Sequence, residues 1–265
     1  MILTEQNYFS KPMMSKYFSV SQYKDFCGTL GGPGCEAKAL AKLKGEWEDE
    51  QSTAMLVGSY VDAHFSGTLM SFKAQHPEIL KKDMTLKAEY INANEVITRI
   101  ERDPYFMLYL QGKKQVIMTA EIFGVQWKCK IDFLHDDMIV DLKVMAQLNK
   151  AHWAKDVGHM SFIPLWGYDI QAAIYQKIVE VNTGKKLPFF IAAASKEASP
   201  DIQIITFTQA NLNECLSLVE PSVERIKNIK IGKIIPDRCE LCDYCRHTKI
   251  LSKPIHYSEL LAKVS

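Results

Sequence analysis

The order of segments predicts an α/β fold: a mixed central β-sheet flanked by helices, with an added helical layer contributed by the N-terminal part. Three observations carry this expectation. Helical periodicity dominates residues 1–110, strand patterns interrupted by one helix occupy 111–208, and a long helix with a Cys-rich tail fills 209–265. A chain of 265 residues can bury a sizeable core, and it is expected to fold as a single domain made of these three parts.

Composition narrows the class. With 47% hydrophobic and 24% charged residues the chain reads as ordered and globular, and a net charge of +1 excludes a uniformly basic nucleic-acid coat while permitting a local basic groove. No apolar run approaches the roughly 20 residues of a membrane span, and the N-terminus lacks the order of a signal peptide. The seven cysteines are therefore expected in a reducing cytoplasm. Their odd number and uneven spacing argue against a disulfide framework.

Taken in order, Gly28–Gly34 with Pro33 is a loop by composition. The run from Cys35 to about Trp47 is rich in helix formers, and a second helix starts at Ser52 or Thr53 and carries Tyr60, Val61, His64 and Phe65. His64 shares a face with apolar neighbours, which on its own describes a core histidine. Residues 88–102 form an amphipathic helix stopped by Asp103-Pro104. Strands follow at Lys114–Phe123 and on both sides of Asp136-Asp137, then a helix over Tyr168–Asn182 ended by Gly184. Leu187–Ala194 and Ile202–Phe207 are strands, and Thr208 caps a helix over 209–230 that Pro221 is expected to bend.

The stretch Trp127–Lys143 organises the rest. If the turn is centred on Asp136 and Asp137, Asp132 lies across from Asp141, with Cβ atoms roughly 5 Å apart. Period two puts Lys143 on the face of Asp141. One account is a solvated acidic face paired with Lys128 or Lys130. However, Ile139, Val140, Leu142 and Val144 make the strand apolar on both faces, and a buried carboxylate must be paired or coordinate a metal. Oxygen donors from Asp132, Asp141 and the Leu142 carbonyl suit Mg2+ or Mn2+.

Asp132, followed nine residues later by Asp141-Leu142-Lys143, resembles the second and third motifs of the PD-(D/E)XK nuclease superfamily. Gln171-Ala172-Ala173-Ile174-Tyr175 resembles the QxxxY motif of RecB-type and RecE-type nucleases, and His64 after Gly58-Ser59-Tyr60-Val61-Asp62-Ala63 resembles their upstream metal-binding histidine. The chain departs from the pattern with Ile131 where a proline is usual and Asp141 where Glu is common. The resemblance implies a restriction-endonuclease-like core and a metal held by His64, Asp132, Asp141 and the Leu142 carbonyl; Glu121, on the preceding strand, is a candidate for a further ligand through water. It implies Lys143 as the catalytic lysine, and Gln171 and Tyr175 as residues that shape the site and contact DNA.

Cys239, Cys242 and Cys245 read C-x2-C-x2-C, and a metal there wants a fourth ligand, Cys35 or Cys27, from the other end of the chain. Such a staple resembles the iron–sulfur clasp of AddB-type nucleases. The alternatives are a [4Fe–4S] cluster, Zn2+, or reduced thiols without metal. Cys129 and Cys215 lie in apolar elements and read as core.

The resemblance to RecE-like exonucleases implies a Mg2+- or Mn2+-dependent exodeoxyribonuclease that degrades linear double-stranded DNA 5′ to 3′ in phage-type recombination. It also implies a RecT-like single-strand annealing partner and a ring-forming homo-oligomer. A second reading is an endonuclease or structure-specific nuclease on the same fold. A third, of another class, is a noncatalytic DNA-binding module with a structural Cys site.

Overall fold

The computed structural model describes residues 2–154 and 157–260. Its centre is a five-stranded mixed sheet whose strands lie side by side in chain order: β1 (Lys113–Ile122), β2 (Val125–Leu134), β3 (Ile139–Met145), β4 (Phe189–Ser195) and β5 (Ile202–Thr206). All neighbours are antiparallel except β3 and β4, which are parallel. A parallel pair needs a crossover. The segment between these two strands contains α5 (Tyr168–Thr183), numbered here after α1 (Val20–Cys27), α2 (Glu36–Lys44), α3 (Thr53–Ser66) and α4 (Ala88–Glu101). The chain continues through α6 (Gln209–Lys230) and α7 (Asp243–His247). This is the mixed sheet flanked by helices that the element order predicts.

Alternation along β3 decides what each layer receives. Ile139 faces the cluster formed with α5, α6 and the N-terminal helices, whereas Val140 and Leu142 face the one formed with α3 and α4. Both faces are covered, so β3 is buried along most of its length. Each fully buried aliphatic or aromatic side chain here contributes about 1.5–3 kcal/mol. Replacing any of them with a charge would split one layer from the sheet.

Local chemistry sets the helix ends. The Ser52 hydroxyl accepts the Met55 amide at 3.3 Å, Gly45 and Gly184 take left-handed conformations at helix C-termini (φ 72° and 70°), and Thr208 Oγ1 accepts the Asn211 amide at 3.2 Å. The Gln209–Lys230 helix runs through Pro221.

The N-terminal part holds more structure than composition suggests. Lys11–Lys16 and α1 are helical, with Ser19 capping α1 and Val20, Tyr23 and Phe26 buried. The glycine loop closes as a two-residue ladder, Gly28–Thr29 on Gly32–Pro33. Asp103 stops α4 and also caps a further helix, Pro104–Tyr109, by accepting the Phe106 amide at 2.9 Å. Two lysines, buried Lys128 and half-buried Lys230, tie the N-terminal segment down: Lys128 meets the Tyr8 carbonyl, and Lys230 donates to the carbonyls of Met14 (3.2 Å) and Tyr17 (3.0 Å). Burial lowers both ammonium groups to about 8. Among the described residues, no helix is long and apolar enough to cross a membrane.

Candidate active site

The hairpin keeps the predicted register, because the two-residue turn fixes it. Leu134 faces Ile139 and Phe133 faces Val140. The ladder then stops one pair short of Asp132 and Asp141. Asp132 Oδ2 accepts the Leu142 amide at 3.0 Å, so a side chain takes the place of a backbone carbonyl and the strands part. On the other side of β2, Asp132 lies opposite Gln115, which has φ 53° and interrupts the β1–β2 ladder between Lys114 and Val116. A strand residue's N–H and C=O point to the same edge, so the Leu142 carbonyl is directed at the gap beside Asp132.

Asp141 and Lys143 both point toward α5. The Lys143 ammonium forms an ion pair with Asp141 Oδ2, and Gln171 Nε2 donates to Asp141 Oδ1 at 2.6 Å. One helical turn later Tyr175 stacks edge-on to Phe189 at 6.2 Å, and burial, then the nearby Cys129 and Tyr8, hold its phenol well above its ordinary range. Gln171 and Tyr175 thus come to the acids from one helix face.

The electrostatics are those of a site built for positive charge. Burial first, then the charges of Asp141 and Asp62, raise the Asp132 carboxyl well above its ordinary value. Burial also raises Asp62, against the pull of Lys130. For Lys143, burial acts downward, but Asp141 and then Asp132 outweigh it and raise the ammonium. Asp141 Oδ2 is buried, and the Lys143 ammonium is its partner. A buried carboxylate held by one lysine, beside a second carboxylate and a free-edge carbonyl, is a hard-oxygen donor set, which fits Mg2+ or Mn2+.

Two expected ligands lie elsewhere. His64 does not reach the acids; its Nε2 meets Glu101 Oε1 at 2.8 Å. Two helical residues subtend about 200°, so the face of α3 that carries Asp62 to the site turns His64 away. Asp62 is the residue that the sequence reading missed, and its signal was a carboxylate at the edge of an apolar helix face. Glu121 is exposed and hydrogen-bonded to Gln126 at 3.0 Å, near the far end of the β1–β2 hairpin. It lies about 20 Å along the strand from Gln115, at ~3.3 Å per residue.

Two further residues enter unannounced. The Lys143 ammonium lies 5.1 Å from the centre of the Tyr168 ring, and Lys24 on α1 lies 5.0 Å from the same ring. Burial, then repulsion by Lys143, lowers Lys24 to about 8.

At the chain ends, Cys35, Cys239, Cys242 and Cys245 bring their four sulfur atoms within 4.8 Å of one another. Cys27 is exposed and outside this group. The amides of Leu241 and Cys242 donate to Cys239 Sγ and, against burial, bring its thiol down to about 7. Arg225 clamps Glu36 through two bonds of 2.6 and 2.8 Å, and Glu36 in turn accepts the Asp237 amide, fixing the segment before Cys239 against α2. Cys129 and Cys215 are buried in the main core.

A solved structure from Eubacterium rectale, titled "Putative exonuclease", is similar along nearly the whole length, at 54% sequence identity and a TM-score of 0.97, covering 99% of each chain. No curated protein matches the sequence. The family model described as a PDDEXK-like domain of unknown function (DUF3799) matches residues 19–248, and with the sheet, the parted strands and the Asp132–Asp141–Lys143 arrangement on one side of it, the chain belongs to that PD-(D/E)XK-like family.

Proposed function

We propose that the protein is a divalent-metal-dependent deoxyribonuclease that hydrolyses linear duplex DNA from its ends, with 5′ to 3′ polarity. The single observation that carries this reading is the Asp141 carboxylate, buried between Lys143 and Gln171 where β2 and β3 part. Asp132, Asp141, Asp62 and the Leu142 carbonyl would hold Mg2+ or Mn2+, which when bound supplies an activated water and neutralises charge on the phosphate. Gln171 orients Asp141, Lys143 stabilises the negative charge that develops on the phosphate, and Tyr175 lines the site near the DNA. An end-labelled duplex with Mg2+ or Mn2+, comparing 5′ and 3′ labels, tests activity and polarity together. Nicking or linearisation of covalently closed circles would replace the exonuclease with an endonuclease.

Metal and pH are linked through Asp132. Its carboxyl titrates above the ordinary 3.8, so the folded metal-free protein holds that proton more tightly than the unfolded chain. The associated stability is present at low pH and lost as pH rises from near 4 through the raised value. Mg2+ needs the ionised form. The increase in Tm on adding Mg2+ should therefore grow across the same window; a pH-independent increase counts against Asp132 as a ligand.

We further propose that Cys35, Cys239, Cys242 and Cys245 hold a single tetrahedral ion. Sulfurs at 3.6 Å (Cys35 to Cys245) and 3.9 Å (Cys239 to Cys245) match the ~3.8 Å edge of a tetrahedron with bonds of about 2.3 Å. A [4Fe–4S] cube attaches each thiolate to a different iron and spreads them further. Metal analysis of anaerobically purified protein should find about one zinc per chain, and Cys245→Ser should lose it and lower Tm. Four iron atoms with visible absorption would restore the cluster.

A further inference from the structure

Lys24 has no role in the chemistry described so far, yet the fold makes room for it. Among the described residues its ammonium forms neither a hydrogen bond nor an ion pair; it lies over the Tyr168 ring that Lys143 also approaches. Gly167, which precedes α5, has φ 61°, and a Cβ there would stand 3.1 Å from Lys24 Cε. The start of α5 is thinned where the lysine stem passes. Beside Lys24 a groove of about 270 Å³ runs along the glycine loop to Trp166, whose side is open to solvent.

We propose that Lys24 binds a phosphate of the DNA strand held at the Asp132–Asp141–Lys143 site, as a second cationic contact beside Lys143; this rests on the nuclease reading above. Two ammonium groups sharing one aromatic ring repel each other in the free protein. A phosphate beside Lys24 relieves that repulsion and gives Lys24 the acceptor it lacks, while Lys143 keeps Asp141. The aromatic face holds the Lys24 cation without neutralising it, as a carboxylate partner would. The other account, a stem that merely shields Tyr168, needs no charge at position 24.

The two accounts separate in DNA binding measured by fluorescence anisotropy on an end-labelled duplex, with Ca2+ replacing Mg2+, across a salt series. Lys24→Met keeps the stem and removes the charge. It should weaken binding about 5- to 10-fold near 0.1 M salt and lower the slope of log K against log[salt] by about 0.7–0.9, while Lys24→Arg retains the wild-type slope. Lys24→Gln, read in parallel, covers a Met variant that does not melt cooperatively. Wild-type binding with an unchanged slope in the neutral variants overturns the assignment of Lys24 alone. Absence of binding by the wild type overturns the nuclease reading, and this one with it.

Discussion

Lys143→Ala and Asp141→Asn should each lower Mg2+-dependent hydrolysis of linear duplex DNA about a thousandfold or more. The two variants fail for different reasons. Lys143→Ala leaves Asp141 Oδ2 buried without the ammonium paired to it, which costs about 3 kcal/mol or more before metal is added. Its Tm should fall, at about 2–4 °C per kcal/mol for a chain of this size, and recover partly in Mg2+. Asp141→Asn removes a buried charge while an amide oxygen can still accept from Gln171. It should melt as cooperatively as the wild type and show no Mg2+-dependent gain in Tm. Single-turnover hydrolysis of an end-labelled duplex, paired with circular dichroism melts, reads both effects. Activity within threefold of wild type in either folded variant would sink the assigned site.

Much of this site was legible because short-range rules determine it. A two-residue turn fixes the register of a hairpin, period two fixes which face Asp141 and Lys143 share, and a four-residue step on a helix fixes that Gln171 and Tyr175 travel together. What the sequence could not give is where the ladder ends. That depends on the Asp132 carboxylate capturing the Leu142 amide, a choice between a side-chain and a backbone acceptor that no pattern of residue types encodes. Glu121 shows the same limit in another form, since it has the parity of Gln115 on β1 yet lies far along the strand. Lys24 was invisible for a simpler reason. Its neighbours Tyr23 and Phe26 mark an ordinary buried helix face, and the ring it approaches belongs to Tyr168, far away in the chain. The choice of Cys35 over Cys27 likewise depends on tertiary contacts, chiefly the clamp of Arg225 on Glu36, the residue next to Cys35.

Asp62→Ala and His64→Ala should separate by about two orders of magnitude in activity, and this contrast tests the correction made by α3. Asp62 raises Asp132 by like-charge repulsion and faces Asp141, so in the nuclease reading it is a third carboxylate for the metal. Removing it should lower the rate about a hundredfold and raise the Mg2+ concentration needed for half-maximal activity. In the metal-free protein the same variant relieves repulsion on Asp132, whose titration moves down, so the pH window over which the Mg2+-dependent gain in Tm grows should shift to lower pH. His64 and Glu101 form a pair whose side chains are 31% and 49% exposed, and such pairs contribute about 0–1 kcal/mol. His64→Ala should therefore keep activity and Mg2+ dependence within about threefold of wild type, with a small change in Tm. The reverse pattern, an inactive His64→Ala beside an Asp62→Ala with unchanged Mg2+ dependence, would return the ligand role to the histidine and require α3 to rotate by half a turn in the active protein.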